Sequence, residues 1–166
     1  MNSRDGITSF GPQDVEQLDR LMSGFLGETH ARYVLLVDRS GRLLTAAGDI
    51  GNLDQITFAS LVAGDFAASD QLAALLGESE FSSLYHQGEG RAMFLADVGG
   101  FAILAALFDG RTTLGMVRLK SKAVVPRFAT LFAELAARGP MRPTAELQND
   151  WVAEAESQID RLFADD

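Results

Sequence analysis

The chain has 166 residues, no cysteine and a formal net charge of -9, from 14 basic and 23 acidic side chains. The lack of cysteine removes disulfides, thiol catalysis and cysteine metal sites together, and fits a reducing, cytoplasmic compartment. The negative field repels phosphate backbones and anionic membranes, so neither nucleic acid nor membrane insertion is expected. A chain of this length needs no covalent staple to bury a core.

Residues 1–11 are polar with two glycines and are expected to be flexible; MNSRDGITSF has no apolar core and does not read as a signal peptide. Pro12 suits a first helical turn. Val15, Leu18, Leu21, Met22 and Phe25 follow at three- and four-residue spacing, which predicts an amphipathic helix ending near Gly27. Arg32 to Asp38 (RYVLLVD) and Arg42 to Ala47 (RLLTAA) flank the turn Arg39-Ser40-Gly41 and predict a hairpin.

A long helix is predicted from Leu53 to Leu76, and its apolar residues do not keep to one side. At about 100° per residue, Ala59, Val62, Phe66 and Ala73 gather on one flank, extended by Phe58 and Leu76. The opposite flank carries Ser60, Gly64, Ala67, Ala68 and Gln71, a stripe of small or modest side chains. The large flank can cover a sheet, while the small one lets another surface approach the backbone closely. A helix apolar around most of its circumference is either an internal core element or one that meets a second chain.

Gly77 is the expected C-cap of that helix. Residues 78–90 (ESEFSSLYHQGEG) carry no clear periodicity. Arg91 to Val98 alternates weakly, Gly99-Gly100 signals a tight hairpin, and Phe101 to Phe108 (FAILAALF) is apolar throughout, as in a strand covered on both faces. That eight-residue run is far too short to span a bilayer. After the turn Asp109-Gly110-Arg111, Thr112 to Lys120 (TTLGMVRLK) alternates as a further strand. A third helix is then expected over Ser121–Arg138, with Pro126 within its first turns. The order α-β-β-α-β-β-β-α predicts an α+β domain over residues 12–138, a five-stranded antiparallel sheet with helices on both faces. Residues 139–143 (GPMRP) break the chain as a linker. Residues 144–166 are expected to form an acidic amphipathic helix capped by Thr144, with Val152, Ala155, Ile159, Leu162 and Phe163 on one stripe and Trp151 beside it. Such a tethered helix docks either on its own body or on a partner.

Catalytic chemistry is missing. No GxxxxGK[ST], strand-linked GxGxxG, HExxH or EF-hand spacing occurs. His30 and His86 stand alone, and Asp38 and Asp109 sit where aspartate is ordinary turn chemistry. Arg111 could serve phosphoryl transfer in a partner's site, but a strand-leading arginine paired with an acidic neighbour is favoured. No nucleophile, base and anion hole come together, so a binding module without cofactor or metal is expected.

Several stretches carry a resemblance: Val34 to Gly41 (VLLVDRSG), Phe58 to Glu78 (FASLVAGDFAASDQLAALLGE), His86-Gln87-Gly88, Phe108 to Leu119 (FDGRTTLGMVRL) and, in the tail, Ile159 to Phe163 (IDRLF). With the element order, they resemble the roadblock (dynein light chain type) family, and within it the MglB-type bacterial regulators of a Ras-like GTPase in cell polarity and gliding motility. The resemblance implies a cytoplasmic homodimer, compatible with enrichment at a cell pole. The helices after the first hairpin would lie side by side, and the third strands would join edge to edge. It implies an activator without an active site, which makes an MglA-type small GTPase bring its own catalytic residues into place, and it leaves Arg111 structural. The GTPase platform then falls on Ser60, Gly64, Ala67, Ala68 and Gln71, where Asp70 and Gln71 are bulkier than a purely small surface. Trp151, Ile159, Leu162 and Phe163 would anchor the tail on the GTPase. A scaffold of the same fold that binds a GTPase without accelerating it, and a profilin- or PAS-like ligand sensor, are the competing readings.

Overall fold

The computed structural model describes residues 10–138. Residues 1–9 of the segment 1–11 expected to be flexible, the linker 139–143 and the expected tail helix 144–166, with Trp151, Ile159, Leu162 and Phe163, lie outside the described residues, whereas Phe10 packs against Phe132 and Gly11 caps the first helix. Helices α1 (Pro12–Thr29), α2 (Gln55–Leu75) and α3 (Leu114–Arg138) alternate with strands β1 (Tyr33–Asp38), β2 (Leu43–Gly48), β3 (Ser83–Gln87), β4 (Ala92–Val98) and β5 (Ala102–Phe108). The sheet is antiparallel in the spatial order β2-β1-β5-β4-β3.

The strand alternation sorts side chains into two cores. Val34 and Leu36 of β1, and Leu104 and Phe108 of β5, face α1 and α3 together with Met22, Phe25, Phe128 and Phe132. Tyr33, Leu35 and Val37, with Ile103 and Ala105, face α2 and meet Val62 and Phe66. The two central strands are therefore covered on both faces, as the unbroken apolar run of β5 requires. The space between α2 and the sheet is filled by these side chains rather than left as a ligand chamber. Asp14 ties the two helices of the other layer: it accepts from the Gly11 backbone N–H at 2.9 Å and from Arg138 at 2.8 Å, which holds its carboxyl below the usual range.

The predicted element order holds, but two of its members stand elsewhere. Thr112–Lys120 is not a strand. Thr113 Oγ1 accepts the Met116 N–H at 3.2 Å, α3 starts at Leu114, and Val117, Ser121, Val124 and Phe128 form its buried stripe at four- and three-residue steps. The helical period outcompetes the weak alternation that Gly115 and Arg118 left in the sequence. Pro126 consequently sits in the middle of α3 and not in its first turns; it lies on the exposed side, where the Lys122 carbonyl that it leaves unbonded can face water. The missing strand is β3, drawn from the unassigned residues 78–90. It has only five residues and its last three are exposed, so neither length nor alternation announces it. Gly99 and Gly100, both at positive φ, make the two-residue turn into β5 that their sequence signals.

Candidate functional site

Helix α2 is anchored on one side and, among the described residues, unpartnered on the other. Asp54 caps it, accepting from the N–H groups of Ile56 and Thr57 at 3.1 and 3.2 Å and from Thr57 Oγ1 at 2.6 Å. These bonds favour the ionised carboxylate and lower its pKa. Ala59, Val62, Ala63, Phe66, Ser69 and Ala73 are buried against the sheet. Arg39, in the β1–β2 turn, clamps the same side: Nη1 donates to Asp70 at 3.2 Å, Nη2 donates to Asp97, and the guanidinium lies 4.8 Å from the Phe66 ring centroid. Asp70, which looked out of place beside a small-residue surface, is thus turned aside from it. On the other edge of α2, Asp65 meets His86 Nε2 of β3 at 2.6 Å.

All five residues of the predicted stripe, Ser60, Gly64, Ala67, Ala68 and Gln71, are exposed on the face away from the sheet. Two features of that face were not foreseen. Leu76, assigned to the buried flank, is the exposed C-cap residue. The stripe is also not merely small: Leu61, Leu72 and Leu75 border it at 66, 57 and 84% exposure, with Ile56 beyond its opposite margin. At 100° per residue Leu61, Ala68, Leu72 and Leu75 share one margin, Ser60 and Ala67 the other, and Gly64 lies between. The signal was present in the spacing of Leu61, Ala68 and Leu75 at seven-residue intervals, which recurs on one side of a helix.

Gly64 sharpens the reading. A glycine inside a helix costs about 1 kcal/mol relative to alanine, yet a Cβ at this position would meet nothing within 4 Å. Among the described residues nothing therefore requires glycine there. At Gly41 the reason is internal, since φ is +93° and a Cβ would approach the Ser60 backbone to 3.1 Å.

The remaining singled-out residues do structural work. Asp38 accepts from the backbone N–H groups of Ser40 and Arg42 in its turn. Asp109 accepts from Arg32 Nε at 2.7 Å and from the backbone and Nε of Arg111 at 3.1 and 3.2 Å, which depresses its pKa to about 2. Arg111 is paired as expected, although it leads into a helix rather than a strand. His30 caps α1 in the left-handed region at φ 54°. Among the described residues no group of acidic or histidine side chains could hold a metal ion, and no helix is long and apolar enough to cross a membrane. The edge-to-edge role expected of a third strand cannot fall on Arg91–Val98, because β4 lies between β3 and β5; the strands with an open edge are β3 and, at the other side of the sheet, β2.

The Roadblock/LC7 domain model matches residues 16–108, from α1 through β5. The chain belongs to the Roadblock/LC7 family. Among solved structures it is similar to Myxococcus xanthus MglB, at 35% identity and a TM-score of 0.69, covering 71% of this chain and 96% of that one. The gliding protein MglB of Thermus thermophilus matches at 35% identity and a TM-score of 0.71, over 76 and 95% of the two chains. An MglB with a tetrameric arrangement matches at 34% identity, a TM-score of 0.72 and the same coverage. No curated protein matches the sequence.

Proposed function

We propose that this roadblock protein is a homodimeric activator of an MglA-type Ras-like GTPase, acting by rearranging the GTPase rather than by supplying catalytic groups. The observation that carries the proposal is the outward face of α2: large exposed leucines on one margin, small residues on the other, and between them a glycine that no described residue requires. The leucine margin suits the α2 of a second copy, and burying it would remove exposed apolar surface from water. The free edge of β3 suits backbone pairing with the same copy. Ser60, Gly64, Ala67, Ala68 and Gln71 of two protomers then form a shared surface for one GTPase. The similarity to MglB proteins supports the assignment. Arg111 is already paired to Asp109, which favours an activator that lends no arginine. Trp151, Ile159, Leu162 and Phe163 add a second contact from the tail, and a cytoplasmic location follows from the partner.

Phosphate release from a GTP-loaded MglA-type GTPase tests the proposal. Wild-type protein is expected to accelerate release. Ala67→Arg is expected to abolish the acceleration while leaving the fold and oligomeric state intact, because it places a long charged side chain in the contact. Acceleration unchanged by Ala67→Arg removes the stripe as the platform. Tight binding without acceleration favours the scaffold reading.

A further inference from the structure

We propose that the acidic tail helix, residues 144–166, packs in the free protein along the outer face of its own α3. From residue 110 to residue 133 the sequence holds no carboxylate, on a chain of net charge -9. Within this stretch α3 presents Lys122 and Arg127, both exposed and without a carboxylate partner among the described residues. Lys120 is taken by Glu28 at 3.4 Å, and Arg118 lies over Phe94. Beside the free cations stand Met116 and Leu119, both exposed, and between them the face is built from Ala123 and Pro126, which let another helix come close. This face is cationic with an apolar floor, on the layer opposite α2.

Length and register select the occupant. Five residues, 139–143, separate α3 from the predicted helix, which is the loop length of an antiparallel helical hairpin. Both helices rise about 1.5 Å per residue, so the pairing set at the loop holds along their length. With Thr144 opposite Arg138, Glu154 and Glu156 lie level with Arg127, Asp160 with Lys122, and Phe163 with Leu119. Each unpaired cation thus meets tail carboxylates, and the tail's apolar stripe meets the exposed Leu and Met. The packed tail would hold back the same side chains assigned above to a partner. The inference concerns the free protein and stands or falls without the GTPase reading.

Trp151 is the single tryptophan of the chain and lies in the tail, so indole fluorescence of the full-length protein reports the docking directly. The wild type is expected to show blue-shifted emission and weak iodide quenching, both independent of protein concentration. Lys122→Glu with Arg127→Glu is expected to shift emission to the red and raise quenching severalfold, with circular dichroism showing the domain intact. Because reversal could act on the domain as a whole, the pair Lys122→Glu and Asp160→Lys provides the second arm. Restoring opposite signs at this level is expected to recover the protected emission that Lys122→Glu alone loses. A fully exposed indole in the wild type overturns the proposal. So does protection that ignores both reversals, or protection that appears only as concentration rises, which would place the tail on another copy.

Discussion

Replacing Arg39 by methionine tests how the β1–β2 turn holds α2 to the sheet. One guanidinium serves Asp70 of α2, Asp97 at the end of β4, and the face of Phe66. Methionine keeps most of the stem's packing and removes the charge. The loss over the ring is about 1 kcal/mol. Each charge-assisted hydrogen bond contributes about 1.5–3 kcal/mol when buried, but the Arg39 side chain is 25% exposed and Asp70 more so, so solvent screens part of this. The Asp97 contact should dominate, because that carboxylate is only 12% exposed and would lose its cation. A total near 3 kcal/mol follows, which for a domain of this size is a fall of about 10 °C in Tm. Thermal unfolding followed by circular dichroism at fixed protein concentration measures it; the concentration matters because assembly adds to apparent stability. Asp97→Asn is expected to destabilise more than Asp70→Asn, and Arg39→Met combined with Asp97→Asn to cost less than the sum of the two. A drop below about 2 °C for Arg39→Met would refute the clamp, since exposed pairs of no consequence behave that way.

Other outcomes follow from the same geometry. Gly48→Ala is expected to destabilise by about 3 kcal/mol or more, because φ is +100° and a Cβ would lie 2.3 Å from the Arg32 carbonyl oxygen; urea unfolding checks this. Gly64→Ala, where a Cβ meets none of the described residues, is expected to raise stability by up to about 1 kcal/mol in the same assay and to weaken the proposed GTPase stimulation. Asp109 has its pKa depressed in the fold, so its stabilising contribution is fully present above the ordinary carboxylate value of 3.8 and is lost as pH falls toward about 2. The Tm difference between wild type and Asp109→Asn should therefore be present at pH 7 and shrink across that window; an equal difference at pH 7 and at pH 2 would assign the effect to something other than the ionised carboxylate. Leu72→Glu, on the exposed leucine margin, is expected to leave the protomer folded and to split the proposed dimer, as read by sedimentation.

The fold was legible wherever one period dominated. Residues 12–29, 33–48 and 101–108 carried unmixed helical or strand patterns and appear close to their predicted bounds. Thr112–Lys120 is misleading in the sequence because its residues alternate in size like a strand, while the buried steps Val117, Ser121, Val124 and Phe128 make it the start of α3, with the Thr113 hydroxyl at its N-terminus. Five-residue β3 is half-exposed and takes its identity from its neighbour β4, a tertiary fact that local pattern does not contain. The geometry of the candidate site was half legible. The inward set on α2 and the outward stripe were separable by angle alone, but Leu61, Leu72 and Leu75 lie outside the small-residue pattern that picked out the stripe. That Gly64 answers to none of the described residues becomes visible only once the surroundings are known.

The central claim is that the outward face of α2 is shared between two copies. Light scattering of the purified wild-type protein across a range of concentrations tests it most directly. A mass of at least two chains, reduced to one by Leu72→Glu, is expected; a single-chain mass at every concentration would refute a shared α2 face.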